Sequence, residues 1–204
     1  PDYLHSTSLS EKMTNYSFFS YESNEALHLT DDERDVIYRL MCDIRNTICN
    51  DEDLFSKDVI ISQIELLCNY CRQFYARQFG TRQEISNHLI ATFEHDFNDY
   101  INQGIAERDG VPSVAYFADK VHLSSKYFGD LIKTQTGITA QDFIQQRLTN
   151  EAKRLLHSSE LSVNEVAYRL GFQYPQHFVR FFKRNVNVTP RTYRENVHKS
   201  QPLK

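Results

Sequence analysis

The sequence predicts an all-α protein, with a double helix-turn-helix module joined by a long central helix and preceded by an α-helical linker or dimerisation bundle. Three observations predict it. Apolar residues recur at helical rather than alternating spacing along most of the chain. A repeat of about 50 residues occupies the C-terminal half, and self-similarity at a fixed period is the mark of one supersecondary unit used twice. Charge is divided unevenly. Residues 1–110 hold 9 Lys and Arg against 20 Asp and Glu, whereas residues 111–204 hold 14 against 7, so a net charge of −4 conceals halves of −11 and +7. That asymmetry suggests that one half meets a polyanion and the other does not.

Residues 1–28 are polar and aromatic without a clear period and read as a connecting segment. The first helix is expected from Thr30, where Glu33 three residues on completes a capping box; Val36, Ile37, Leu40, Met41, Ile44 and Ile48 follow at helical spacing. The acidic loop Asp51 to Asp53 should end it. A second helix should run from about Lys57 to Phe79, with Ile60, Ile64, Leu67, Cys71 and Phe74 on one side and Gly80 as its C-terminal glycine. Thr81 with Glu84 should cap a third. This third helix sets Ile85, Leu89, Phe93, Phe97 and Ile101 four residues apart and ends at Gly104. Such a line buries either against the first two helices or against a second copy of the chain.

Ser113 to Val121 matches Ser162 to Leu170 at the serine, the first valine, the second alanine and the final basic-apolar pair. Phe128, Leu131, Ile132 and Lys133 then match Phe178, Phe181, Phe182 and Lys183, and Gly137-Ile138-Thr139 matches Asn187-Val188-Thr189. Each unit reads as two short helices with a tight turn. In the second, Ser162 and Glu165 form a capping box, Gly171 provides the positive φ of the turn, and Pro175 opens the next helix. In the first unit His122 stands in place of Gly171, a residue that tolerates the left-handed region better than most. Between the units, Phe143, Ile144, Leu148, Ala152, Leu155 and Leu156 define a connector from Ala140 to about His157. At roughly 1.5 Å per residue it is about 27 Å long, close to the roughly 34 Å of one duplex turn. Two recognition helices could therefore enter successive major grooves.

These residues resemble the AraC-type (AraC/XylS) bacterial transcription regulators. The resemblance is closest from Ser162 to Arg194, through Ala167, Gly171, Phe172, Phe178, Phe182, Lys183, Thr189, Pro190, Tyr193 and Arg194. It extends through Arg147, Ala152, Leu155 and Leu156 in the connector and through the first unit ending at Gly137. The run from Phe74 to Arg82 is similar to the family's linker helices. The resemblance implies three regions: a connecting segment at 1–28 that is the remnant edge of a missing sensory barrel, a helical linker or dimerisation region at 29–107, and the double helix-turn-helix DNA-binding domain at 108–204. The start at Pro1, without an initiator Met, suggests that the sequence is a piece of a longer protein.

By correspondence with the family, the groove-facing positions of the first recognition helix are Lys126, Gly129 and Asp130, with Ser125 at its start and Lys133 toward the backbone. Glycine reads no base, and aspartate accepts from a cytosine amino group but repels phosphate, so direct readout here should be weak. The second helix is better equipped. Gln176, His177 and Arg180 lie opposite Phe178 and Phe182; Arg180 suits guanine, Gln176 adenine, and His177 a base edge or phosphate, while Lys183 and Arg184 suit backbone contacts. Asn187 replaces the glycine usual after this helix, a mild change because asparagine also accepts the left-handed conformation.

A sequence-specific DNA-binding regulator is therefore expected, against the alternative of a helical scaffold protein that keeps the fold with decayed DNA reading. Double-stranded DNA is the expected partner, with a homodimer through helices between residues 31 and 104 and RNA polymerase as further candidates. An enzyme is not expected, since no G-x-S-x-G elbow, P-loop, H-E-x-x-H or paired carboxylate in an apolar setting occurs. No cofactor or metal is expected either. Cys68 and Cys71 have the C-x-x-C spacing, but they border an apolar stripe and read as core thiols. RNA binding would want aromatics exposed for stacking, and most aromatics here fall at core positions. No apolar run approaches the roughly 18 residues needed to cross a bilayer, so a soluble, cytoplasmic protein is expected.

Overall fold

The computed structural model describes residues 7–49, 56–81, 83–158 and 160–199, with side chains omitted at 8, 83–88, 198 and 199. Every regular element among them is helical: α1 (Ser8–Met13), α2 (Asp31–Cys49), α3 (Ser56–Thr81), α4 (Gln83–Asn102), α5 (Ile105–Asp109), α6 (Val114–Lys120), α7 (Ser125–Thr136), α8 (Ala140–Ser158), α9 (Val163–Arg169), α10 (Pro175–Val186) and α11 (Pro190–Lys199). No helix among the described residues is long and apolar enough to cross a membrane. The chain forms two compact units, residues 1–86 and 87–204.

In the first unit α2 packs along α3. The expected capping box starts α2, with the Thr30 N–H donating to Glu33 at 2.9 Å and the Glu33 N–H to the Thr30 hydroxyl at 3.3 Å. The expected stop at the acidic loop Asp51 to Asp53 lies outside the described residues.

Residues 7–28 differ from the expected connecting segment and strand edge. They form α1 and two short 3-10 turns, Ser17–Ser20 and Ser23–Glu25, laid on α3. Leu9 and Tyr16 bury with Cys68, flanked by Met13, Phe18, Ile61 and Ile64. Lys12 pairs with Glu65 at 2.5 Å, and Phe18 stacks on Tyr75 with centroids 5.8 Å apart.

That layer also explains a second difference: α3 runs straight through Gly80 instead of ending there. Gln78 and Phe79 are buried, and the Gln78 amide is held between the His28 N–H (2.8 Å) and the Ala26 carbonyl (3.3 Å). Tertiary contacts of the last turn outweigh the roughly 1 kcal/mol helix penalty of one glycine. Thr81 belongs to α3 and donates back to the Arg77 carbonyl at 3.1 Å. The side chain of Glu84, its expected capping partner, lies outside those described.

The second unit begins within α4, upstream of the boundary at 107/108 expected from sequence. The aromatic line on α4 is buried inside this unit. Phe93 lies 4.4 Å from Phe117 and 5.0 Å from Phe143, centroid to centroid, so it packs on α6 and α8. Of the two sequence-level alternatives for this line, internal burial is what occurs for Leu89, Phe93, Phe97 and Ile101, though against the downstream helices. Arg147 of α8 adds an ion pair to Glu94 and lies over the Phe143 ring at 5.1 Å. The connector α8 sits at the centre and packs on α6, α7, α9, α10 and α11.

Candidate nucleic-acid interface

Each helix-turn-helix unit is assembled by local signals. Ser113 accepts from the Tyr116 N–H at 3.2 Å to start α6, and Ser124 accepts from the Tyr127 N–H at 3.2 Å to start α7. In the second unit Ser162 and Glu165 close the capping box that opens α9. Bonds from Ser162 hold the Glu165 carboxyl below its usual pKa. The tight turns use His122 (φ 56°) and Gly171 (φ 89°), and the recognition helices α7 and α10 both end on left-handed residues, Gly137 (φ 77°) and Asn187 (φ 63°).

At about 100° per residue, side chains on α7 and α10 sort into two arcs. On α7, Tyr127, Phe128, Leu131 and Ile132 face the core. Lys126 and Lys133 are exposed on the other side, with Gly129 and Asp130 half-buried between them and Ser125 exposed at the first turn. On α10, Phe178 and Phe182 are fully buried, and Gln176, His177, Arg180, Lys183 and Arg184 all stand exposed on the opposite side. Apart from Ser125, which flanks the core side on the first turn of α7, the residues singled out in the sequence share one face of each recognition helix.

The two faces differ in charge. That of α10 carries Arg180, Lys183 and Arg184, and among the described residues Arg180 and Lys183 make no ion pair. Arg184 donates to the Gln145 side chain at 3.1 Å, which leans it toward α8. On α7 the two lysines are offset by Asp130.

Three supports were missed in the sequence. Arg194 of α11 donates to the Leu156 carbonyl at 3.1 Å and the Leu161 carbonyl at 2.6 Å, satisfying the exit of α8 and fixing the approach to α9. The short helix α5 packs on α9, followed by Gly110, whose carbonyl accepts from the Tyr100 hydroxyl at 2.9 Å. Tyr174, half-exposed at the N-cap of α10, stands edge-on to His177 with centroids 5.5 Å apart. Only Tyr174 had a legible signal, because it aligns with the capping Ser124 of the first unit.

A helix-turn-helix domain family matches residues 117–196, which takes in most of the first unit, the connector and the second unit. Over these residues the basic unit is similar to that helix-turn-helix family. The HTH-type transcriptional activator RhaS of Escherichia coli (strain K12 / DH10B) is 36% identical over 109 residues, covering 53% of this chain and 35% of RhaS. RhaS of Escherichia coli O127:H6 matches to the same extent. The chain therefore spans about a third of the length of these curated relatives. Among solved structures, the DNA-binding domain of AdpA in complex with a target DNA aligns at 23% identity over 58% of this chain and 97% of that one, with a TM-score of 0.46. The C-terminal domain of AraT, a response regulator from Geobacillus stearothermophilus, aligns at 24% identity over 54% and 86%, with a TM-score of 0.44.

The thiols of the linker helices lie outside the helix-turn-helix match. Burial pushes the Cys68 and Cys71 thiols up, which keeps them protonated, and Cys68 packs as a small core residue beside Leu9 and Tyr16.

Proposed function

We propose that the chain is a sequence-specific DNA-binding transcription regulator that sets α7 and α10 in successive major grooves, with base reading concentrated on α10. One observation carries this reading: the exposed face of α10 gathers Gln176, His177, Arg180, Lys183 and Arg184 directly opposite buried Phe178 and Phe182. An arginine at the centre of such a face pairs with guanine O6 and N7, a glutamine one turn earlier with adenine, and flanking cations with phosphates. The face of α7, with Gly129 and Asp130, positions more than it reads. Since RhaS carries the name of a transcriptional activator, RNA polymerase is the downstream partner we assign to this chain.

A homodimer accompanies this reading, formed through the linker helices. Its support is an unburied apolar stripe on α2, with Tyr38, Met41 and Ile48 each more than half exposed, continued on α3 by Val59 and Leu66. Sedimentation equilibrium of the chain against Met41→Glu tests it, with a concentration-dependent dimer expected for the wild type only.

The test of the regulator reading is selection of binding sites from a random duplex library, followed by titration of the winner at two salt concentrations. One enriched motif is expected, with Arg180→Ala losing about 1–3 kcal/mol of discrimination at one base pair. Salt-sensitive binding to every duplex without enrichment, or no binding at low salt, would instead support the scaffold alternative.

A further inference from the structure

The two units of the repeat start their recognition helices differently. Ser124 caps α7 through its hydroxyl, whereas the corresponding Tyr174 makes no side-chain cap bond to α10. The second position of each pair diverges as well: Tyr127 is buried in the core of the first unit, while its counterpart His177 is exposed. The second unit thus lacks a helix cap that the first possesses and holds instead an aromatic side chain 51% exposed to water, its ring 5.5 Å from His177 at 71°. Neither ring contributes to the core. An exposed edge-to-face pair at the entry of a recognition helix is a poor use of aromatic surface unless something covers it.

We infer that Tyr174 and His177 form one reading unit, in which Tyr174 meets a thymine methyl group and holds the His177 imidazole toward an acceptor on the neighbouring base pair. The inference rests on the regulator reading above and adds a specificity-determining residue to it. The thymine C5-methyl is the apolar feature that the major groove presents, and a tyrosine ring offers apolar surface of matching kind. An imidazole N–H donates to purine N7 or guanine O6, provided that its ring plane is held. The edge of Tyr174 holds it.

Binding-site selection and titration with the full chain separate this role from a structural one, using Tyr174→Ser, Tyr174→Phe and His177→Ala. Tyr174→Ser recreates the capping residue of the first unit, so it should unfold at the wild-type temperature or about 2–4 °C above it. It should nonetheless lose roughly 5- to 50-fold of discrimination at the position that His177→Ala also loses, with the double variant no worse than either single one. Tyr174→Phe should keep the wild-type motif. Replacing the preferred thymine by uracil, which removes only the methyl group, should weaken the wild type about 3- to 10-fold and leave Tyr174→Ser unchanged.

An enriched wild-type motif that Tyr174→Ser retains overturns this inference alone, as does a uniform loss of affinity across all sequences. Insensitivity of the wild type to uracil at every thymine of its motif does the same. Failure of the wild type to enrich any motif overturns the regulator reading and this inference together.

Discussion

Gly171 lies so close to Gly110 that a β-carbon built on it would stand 2.4 Å from the Gly110 carbonyl carbon and 2.6 Å from the Val111 nitrogen. The second turn therefore needs glycine twice over, for its φ of 89° and for the backbone that passes against it. Gly171→Ala should destabilise the second unit by about 3 kcal/mol or more, since backbone cannot move aside as a side-chain tip can. Urea denaturation followed by far-ultraviolet circular dichroism checks this, and an unchanged midpoint would mean that the segment before Val111 is not held against the turn.

Asn187 occupies the other left-handed position of that unit, at φ 63°. Its Cβ costs something there that glycine avoids, even though asparagine tolerates the region well. Asn187→Gly should raise stability by about 0.5 kcal/mol without altering DNA affinity. A clear loss of stability would show that the asparagine side chain contributes more than its backbone conformation.

Phe93 is 2% exposed between Phe117 and Phe143, although it lies outside the residues matched by the helix-turn-helix family. Phe93→Ala should cost about 3–5 kcal/mol and lower DNA affinity at temperatures where the wild type still binds. If Phe93 instead served only a contact between copies, the variant would change association and leave the melting of the domain alone.

Lys183→Ala should weaken binding to all duplexes alike and reduce the slope of log affinity against log salt by about 1, because a phosphate contact releases counterions without reading a base. A change of motif in place of a change of slope would assign Lys183 to base readout.

Glu33 gives a pH dependence. Burial pushes its carboxyl up, but the Thr30 N–H and the Arg77 guanidinium more than offset that, and the net pKa lies below the ordinary value. The Arg77 contact is a two-point fork at 2.8 Å on each oxygen. A depressed carboxylate stabilises the fold above its unfolded pKa of about 4.3, and the contribution disappears as pH falls through the lower folded value. The urea midpoint of Glu33→Gln should therefore lie below that of the wild type from pH 8 to pH 5, and the two should converge only in acid, once the pH has fallen below the depressed folded-state value. A gap that persists in acid would point to lost packing.

What the sequence made legible follows from locality. The capping box of Ser162 and Glu165, the turn residues His122 and Gly171, and the helix ends at Gly137 and Asn187 act within four or five residues of where they stand, and all recur in the structure. The same holds for the faces of α7 and α10, because helical spacing alone opposes Arg180 to Phe178. Residues 7–28 and the last turn of α3 were not legible. Their conformation depends on Tyr16 reaching Cys68 and on Gln78 reaching back to His28, pairings about 50 residues apart that no local pattern announces. The segment Ile105–Asp109 was hidden for the same reason, since Ala106 becomes buried where α5 meets α9. Tyr174 was visible as a break in the repeat, but its pairing with His177 needed coordinates.

The central helix α8 touches both members of each helix-turn-helix unit and α11 as well. On the regulator reading proposed above, that clamp would make the domain sensitive to rotational phase along the duplex as well as to distance. Inserting one base pair between the two halves of a binding site turns the second half by roughly 35° and moves it about 3.4 Å, at about 10–10.5 base pairs per turn. A flexible connector would absorb that displacement. One held along most of its length cannot, so its targets should tolerate changes of sequence between the halves far better than changes of spacing.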